Sequence, residues 1–184
     1  WALVTDVVDG RLCAALAAKT QLSIIGVSGD AGKVAAARER LAGRGIYGRR
    51  VSVHLVEGGA LPFTDYFANL IVSEAAWLGQ AQSRLAKDEL ERLMQPHNGV
   101  RWRGPNTALR QANGLAGAGE WTHQYGNPAN TSNSGDTLVQ SDLVLQWFGG
   151  PGAAPMVDRH LRAPAPLAAE GKLIIPGENL LIAV

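Results

Sequence analysis

Cysteine is nearly absent from this chain. Cys13 is the single one, which excludes an internal disulfide framework and a Cys-rich zinc site. No sign of charge prevails either. Lys and Arg number 17 against 16 Asp and Glu, for a net charge of +1, and they are scattered without the basic stripe of a nucleic-acid surface. No uninterrupted apolar run reaches bilayer-spanning length, and no secretory signal is visible. The fingerprint G-x-G-x-x-G is missing, so a nicotinamide dinucleotide enzyme has no positive support. What is present is a core-forming composition: 46% of 184 residues are hydrophobic, enough for one ordinary domain or a small one plus part of another. Cys13 falls in an apolar helical pattern and reads as a small buried hydrophobe. Trp1 opens inside an apolar run without a Met, and Val184 closes inside another, so both ends read as cut.

Trp1 to Val8 is mostly apolar and β-branched, with Asp9-Gly10 as punctuation, and Leu12, Ala15, Leu16 and Lys19 follow at helical spacing. Leu22 to Val27 has the length of a buried strand. Lys33 to Arg44 is Ala-rich and helical by propensity, ended by Gly43 and Gly45. Val51 to Val56 and Leu70-Ile71-Val72 read as strands, and Leu85 to Met94 as a helix. Strands alternating with helices predict an α/β fold: a Rossmann-like parallel sheet with helices on both faces. Residues 104 to 119 have no period and read as a linker. From Trp121 the texture is β. Leu143 to Trp147 is a strand candidate, and Leu173-Ile174-Ile175 and Leu180 to Val184 flank Pro176-Gly177-Glu178-Asn179 as a hairpin.

Over residues 1 to 103 this order resembles the class I S-adenosylmethionine-dependent methyltransferases. Leu3-Val4-Thr5 leads to Asp9-Gly10-Arg11-Leu12 opening a helix, and Ile24 to Val27 leads to Asp30 and Lys33-Val34 opening the next. Ala60-Leu61-Pro62-Phe63 before Phe67 to Ser73 looks like the approach to the family's fourth strand, and Glu91 to Val100 like the helix end and turn before its fifth. The resemblance implies a cofactor site at Asp6, Val8, Asp9, Gly10, Ser28 and Gly59. Most of these positions are altered. Asp6 and Val8 stand where the family has glycine, so side chains occupy the ligand's path and Asp6 would face its carboxylate. Ser28 replaces the acid that grips the ribose hydroxyls, and Gly58-Gly59 replaces a Gly-Asp pair, with Glu57 as a near neighbour. Three lost contacts at roughly 1–3 kcal/mol each would weaken binding by orders of magnitude.

Residues 120 to 184 resemble the opening of pyrroloquinoline-quinone-type (PQQ-type) β-propellers. Trp121 to Thr131 looks like the entry segment, and Ala163 to Leu167 with Gly171 to Val184 like one blade hairpin. The resemblance implies remaining blades elsewhere as partners, since propellers close only with several. It also implies that PQQ cannot bind this stretch alone, because the quinone and calcium ligands lie on later blades. The fusion suggests a larger bacterial protein, periplasmic or in the cell envelope if the propeller context holds, otherwise cytoplasmic.

The expected function is a degenerate methyltransferase-like domain serving as scaffold or interaction module beside a propeller. One alternative is an active methyltransferase of unknown substrate, and another is a quinoprotein-like binding or redox unit. Rival motifs are weaker. Gly26-Val27-Ser28-Gly29-Asp30 nearly spells a nucleophile elbow, with Asp65 and His97 in hydrolase order, but too few strands precede it. Gly32-Lys33 looks like the tail of a phosphate loop, yet Val34 replaces the magnesium-holding hydroxyl, leaving a helix start. Asp158 and His160 form a lone pair without further metal ligands. No metal site, nucleic-acid partner or membrane span is expected.

Overall fold

The computed structural model describes residues 1–80, 85–102, 104, 107–110, 114–140, 164–177 and 179–183. It divides into Trp1–Ala112 and Asn113–Val184.

In the first unit, strands β1 (Ala2–Thr5), β2 (Ile24–Ser28), β3 (Val51–Leu55), β4 (Leu70–Ser73), β5 (Val100–Trp102) and β6 (Ala108–Arg110) form one sheet in the order β3-β2-β1-β4-β5-β6. The pairings through β5 are parallel, and β6 joins β5 antiparallel at the edge. The first strands are apolar on both faces, as a covered parallel sheet requires. Ala2, Val4, Ile24, Val51, Val53 and Val72 face one way, onto α1 (Arg11–Lys19) and α2 (Ala31–Gly43). Leu3, Val27 and Ile71 face the other, onto Leu90 and Leu93 of α4 (Lys87–Leu93). A short helix, α3 (Glu74–Trp77), follows β4 directly. This is the Rossmann-like doubly wound arrangement the alternation predicts. The order reverses between β1 and β4, the switch point where such sheets bind ligands at their carboxyl ends.

Local signals account for the helices. α2 is Ala-rich, and the Asp30 carboxylate caps it by accepting from Lys33 N at 3.0 Å. It ends where Gly45, at φ +66°, donates to Ala42 O. Its buried stripe is Val34, Ala37 and Leu41, at helical spacing. The close approach is at Gly26. A Cβ there would stand 3.0 Å from Val7 Cγ2, 3.2 Å from Val53 Cγ2 and 3.3 Å from Cys13 Sγ. Gly26→Val is expected to cost at least about 2 kcal/mol by overpacking, read as a lower urea midpoint at unchanged slope.

One sequence expectation needs correcting. β6 lies inside the stretch 104 to 119 read as a linker: Ala108, Leu109 and Arg110 extend the sheet. The three residues are exposed, so no alternation marks them.

In the second unit, β7 (Leu167–Ala169), β8 (Lys172–Pro176) and β9 (Leu181–Ala183) form an antiparallel sheet. The turn between β7 and β8 is made by Glu170 and Gly171, both at positive φ. Trp121 pairs with Ala168 through reciprocal backbone hydrogen bonds of 2.7 and 2.8 Å. The expected strand Leu143 to Trp147 and the pair Asp158 and His160 lie outside the described residues. Among the described residues, no helix is long and apolar enough to cross a membrane.

Candidate functional site

The carboxyl ends of β1 and β4 meet at Thr5 and Ser73, which pair in register. Asp6 follows Thr5 directly and sits at φ +50°, a left-handed conformation that Asp tolerates better than most residues. The backbone at Asp6 therefore holds a glycine-like geometry while carrying a carboxylate. Asp6 Oδ2 accepts from Thr5 Oγ1 and Ser73 Oγ, each at 2.9 Å. These bonds aim it across the switch point.

Two hollows flank this bridge. A crevice of about 310 Å³ over the ends of β1, β2 and β3 is lined by Asp6, Ser28, Glu57 and Gly58, with Val27 and Val56 behind them. A larger cavity of about 460 Å³ lies at the ends of β1, β4 and β5, with Thr5, Ser73, Arg101 and Trp102 in its wall. Ser28 is buried at 7% exposure, and its hydroxyl accepts from Asp30 N at 3.3 Å.

The loop from Val8 to Leu12 is organised by a residue the sequence reading missed. Glu74 is fully buried. Its Oε2 accepts from Val8 N at 2.7 Å, Asp9 N at 3.2 Å and Gly10 N at 3.1 Å, and its Oε1 from Leu12 N at 2.7 Å. The N-cap of α1 is Gly10, at φ +75°, which offers no side-chain cap. The helix N-terminus, ordinarily a ready anion site, is thus capped by a carboxylate supplied from β4's end. The available signal was an acid directly after a buried apolar strand, in Leu-Ile-Val-Ser-Glu-Ala-Ala.

The six expected site residues separate. Asp6 and Ser28 line the crevice together. Val8 and Gly10 contribute backbone N–H groups to Glu74. Asp9 turns to the two helices instead: its carboxylate takes Arg11 Nε of α1 at 2.7 Å and Arg40 Nη2 of α2 at 3.0 Å. Burial pushes its pKa up, but the Arg11 hydrogen bonds and the Arg40 charge outweigh this and hold it below the usual carboxylate value. Gly59 is exposed and lies outside the described crevice wall. Gly58, at φ +93°, and Glu57 belong to it.

The rival motifs do not assemble. Ser28 ends β2, whereas His97 precedes β5 and Asp65 precedes β4; in a parallel sheet these are opposite ends. Asp65 is engaged by Arg92. Gly32-Lys33 is the first turn of α2, its amide held by Asp30. Cys13 lies wholly within the core, its thiol pushed up to about 12 by burial and by the Glu74 charge. Ellman's reagent is expected to leave it unmodified in the native protein and to titrate it fully in denaturant.

No protein-family model and no curated protein matches the chain. Solved structures resemble it over 54% of its length. One, provisionally described as an S-adenosyl-L-methionine-dependent methyltransferase from Methanococcus maripaludis, shares 21% identity at TM-score 0.48, over 45% of its own chain. A SAM-dependent methyltransferase from Aquifex aeolicus shares 17% at TM-score 0.46, over 53% of its own chain. Geranyl diphosphate C-methyltransferase from Streptomyces coelicolor shares 11% at TM-score 0.45, over 36% of its own chain. The resemblance thus spans about half of these proteins or less.

Proposed function

We propose that Trp1–Ala112 is a methyltransferase-type unit that binds S-adenosylmethionine in the crevice over β1, β2 and β3. The observation that carries this is the donor set. Asp6, Ser28 and Glu57 offer acceptors, and no cation is among the described residues of the crevice wall. Such a wall suits a ligand bearing positive charge and hydroxyl groups, and disfavours a nucleotide phosphate. The crevice volume of about 310 Å³ falls at the lower end of the roughly 300–1,000 Å³ typical of small-ligand sites.

In this reading Ser28 Oγ holds a ribose hydroxyl, and Glu57 accepts from a hydroxyl or the adenine amine. Asp6, steadied by Thr5 and Ser73, meets the ammonium group, and not the carboxylate that the family resemblance sets against it. The cofactor, when bound, supplies an electrophilic methyl group. Calorimetry of the full chain with S-adenosylmethionine and its demethylated product tests this. Micromolar binding is expected, with Glu57→Arg weakening it at least about tenfold. No heat at millimolar ligand overturns it.

A second reading, a scaffold that keeps the fold without the ligand, is favoured by Glu74. It already occupies the loop amides, and Val8 adds a side chain there. This reading predicts a well-folded unit without cofactor binding. For Asn113–Val184 the propeller reading rests on the sequence resemblance; the described residues contribute a small three-stranded antiparallel sheet and the Trp121–Ala168 pairing. It places the protein with further blades, in the periplasm or envelope. The surrounding reading frame tests it: repeated strand-turn units downstream are expected, and their absence contradicts it.

A further inference from the structure

Beside the crevice, a short exposed stretch runs between two pinned residues. At one end Val56 N donates to Ser28 O at 3.0 Å, which ties the chain to the end of β2. At the other, Leu61 is buried, its N–H donating to Glu89 Oε1 at 2.7 Å and its carbonyl accepting from Arg92 Nη2 at 3.1 Å. Between them Glu57, Gly58, Gly59 and Ala60 are all exposed. Among the described residues, none of these makes a hydrogen bond or an ion pair. A solvated stretch held only at its ends rearranges at little free-energy cost.

The glycines are not there for packing. A Cβ at Gly58 or Gly59 would meet nothing within 4 Å. Gly58 is suited to its φ of +93°, but Gly59 lies outside that left-handed range. Nothing in this conformation requires glycine at position 59. A second conformation would, because glycine crosses between backbone regions closed to other residues. Position gives such a movement a use. Glu57 and Gly58 line the crevice, and the Glu57 carboxylate, solvated here, would exchange water for a ligand's donor on closing. That differential contact is what lets a ligand favour the closed form.

We infer that residues 57–60 form a strap that is loose in the free protein and closes over a crevice ligand. Gly58-Gly59 is its hinge, and the Glu57 carboxylate is the contact that holds it shut. That the ligand is an adenosyl cofactor rests on the proposed function; the loose strap itself does not.

The test is backbone amide relaxation on the picosecond-to-nanosecond scale, measured by nuclear magnetic resonance on the full chain. In the free chain, amides 57–60 are expected at order parameters below about 0.6, against about 0.85 for Val56 and Leu61. S-adenosylhomocysteine at saturation, its binding read from the Asp6 and Ser28 amide shifts, is expected to bring the strap close to its neighbours. Gly59→Ala, for which there is room, is expected to order the strap partway without ligand. In Glu57→Ala the strap is expected to stay loose at saturation, judged by the same Ser28 shift. A strap as ordered as Val56 and Leu61 in the free chain overturns the inference, as does one still loose in the saturated wild type. Equal ordering in Glu57→Ala overturns the part given to that carboxylate, and an unchanged strap in Gly59→Ala overturns the part given to the hinge. A loose strap with no Asp6 or Ser28 shift at millimolar ligand keeps the strap, but removes the cofactor reading and closure over that cofactor with it.

Discussion

Glu74→Ala is expected to lower the stability of the N-terminal unit by about 3–5 kcal/mol, the range for removing one partner from a buried, charge-assisted network. The carboxylate serves four backbone donors at once, from Val8, Asp9, Gly10 and Leu12. Truncation leaves those donors without it and opens a space between β4's end and α1. The Gly10 cap has no side chain to compensate. Glu74→Gln keeps the shape but turns an N–H₂ group toward some of these donors, so about half the loss is expected. The urea midpoint measures both. Hydrogen exchange localises the effect: the Val8, Asp9, Gly10 and Leu12 amides should lose protection before β1 does. A loss below about 1 kcal/mol for Glu74→Ala would mean that water replaces the carboxylate readily.

Arg92→Ala is expected to cost about 2–3 kcal/mol, because one guanidinium ties three segments together. Its donors reach Glu89 twice, Asp65, and the Leu61 and Phe63 carbonyls. Glu89 in turn accepts from Leu61 N at 2.7 Å. The clamp holds the chain running from the crevice residues Glu57 and Gly58 to β4 against α4, where Leu61 and the Phe63–Phe67 pair meet the core. Weaker binding of any crevice ligand should accompany the lost stability. The Arg92 hydrogen bond, helped by Leu61 N and opposed by burial, holds the Glu89 carboxyl below its ordinary value. A carboxyl lowered in this way favours the folded state above its unfolded pKa and loses that advantage as pH falls through the folded one. The gap between wild type and Arg92→Ala should therefore be full at neutral pH and narrow below about pH 4. A gap independent of pH would show that the two carbonyl contacts carry the effect.

Much of the fold was legible because its signals are local. The apolar strands around Val4, Ile25 and Val72 and the Ala-rich helix ending at Gly43 are written in short windows. What was not legible depends on contacts distant in sequence. β6 is three exposed residues with no period of its own, made a strand only by Val100, Arg101 and Trp102 beside it. Glu74 looks like an ordinary acid opening a short helix; its role appears once β1 and β4 are adjacent and its carboxylate meets amides 62 to 66 residues away. Asp6 reads in sequence as the loss of a glycine. In the structure its backbone holds the left-handed conformation, and its carboxylate joins the two hollows. At Asp9 the sequence located the loop, but Arg11 and Arg40 decide where the side chain points.

The central claim is that the crevice over β1, β2 and β3 binds an adenosyl cofactor. Mapping amide shifts on the full chain with S-adenosylhomocysteine tests it most directly. Saturable shifts concentrated at Asp6, Ser28, Glu57 and Gly58 are expected, with smaller changes at the amides held by Glu74. No shift at millimolar ligand, or shifts confined to Asn113–Val184, would contradict it.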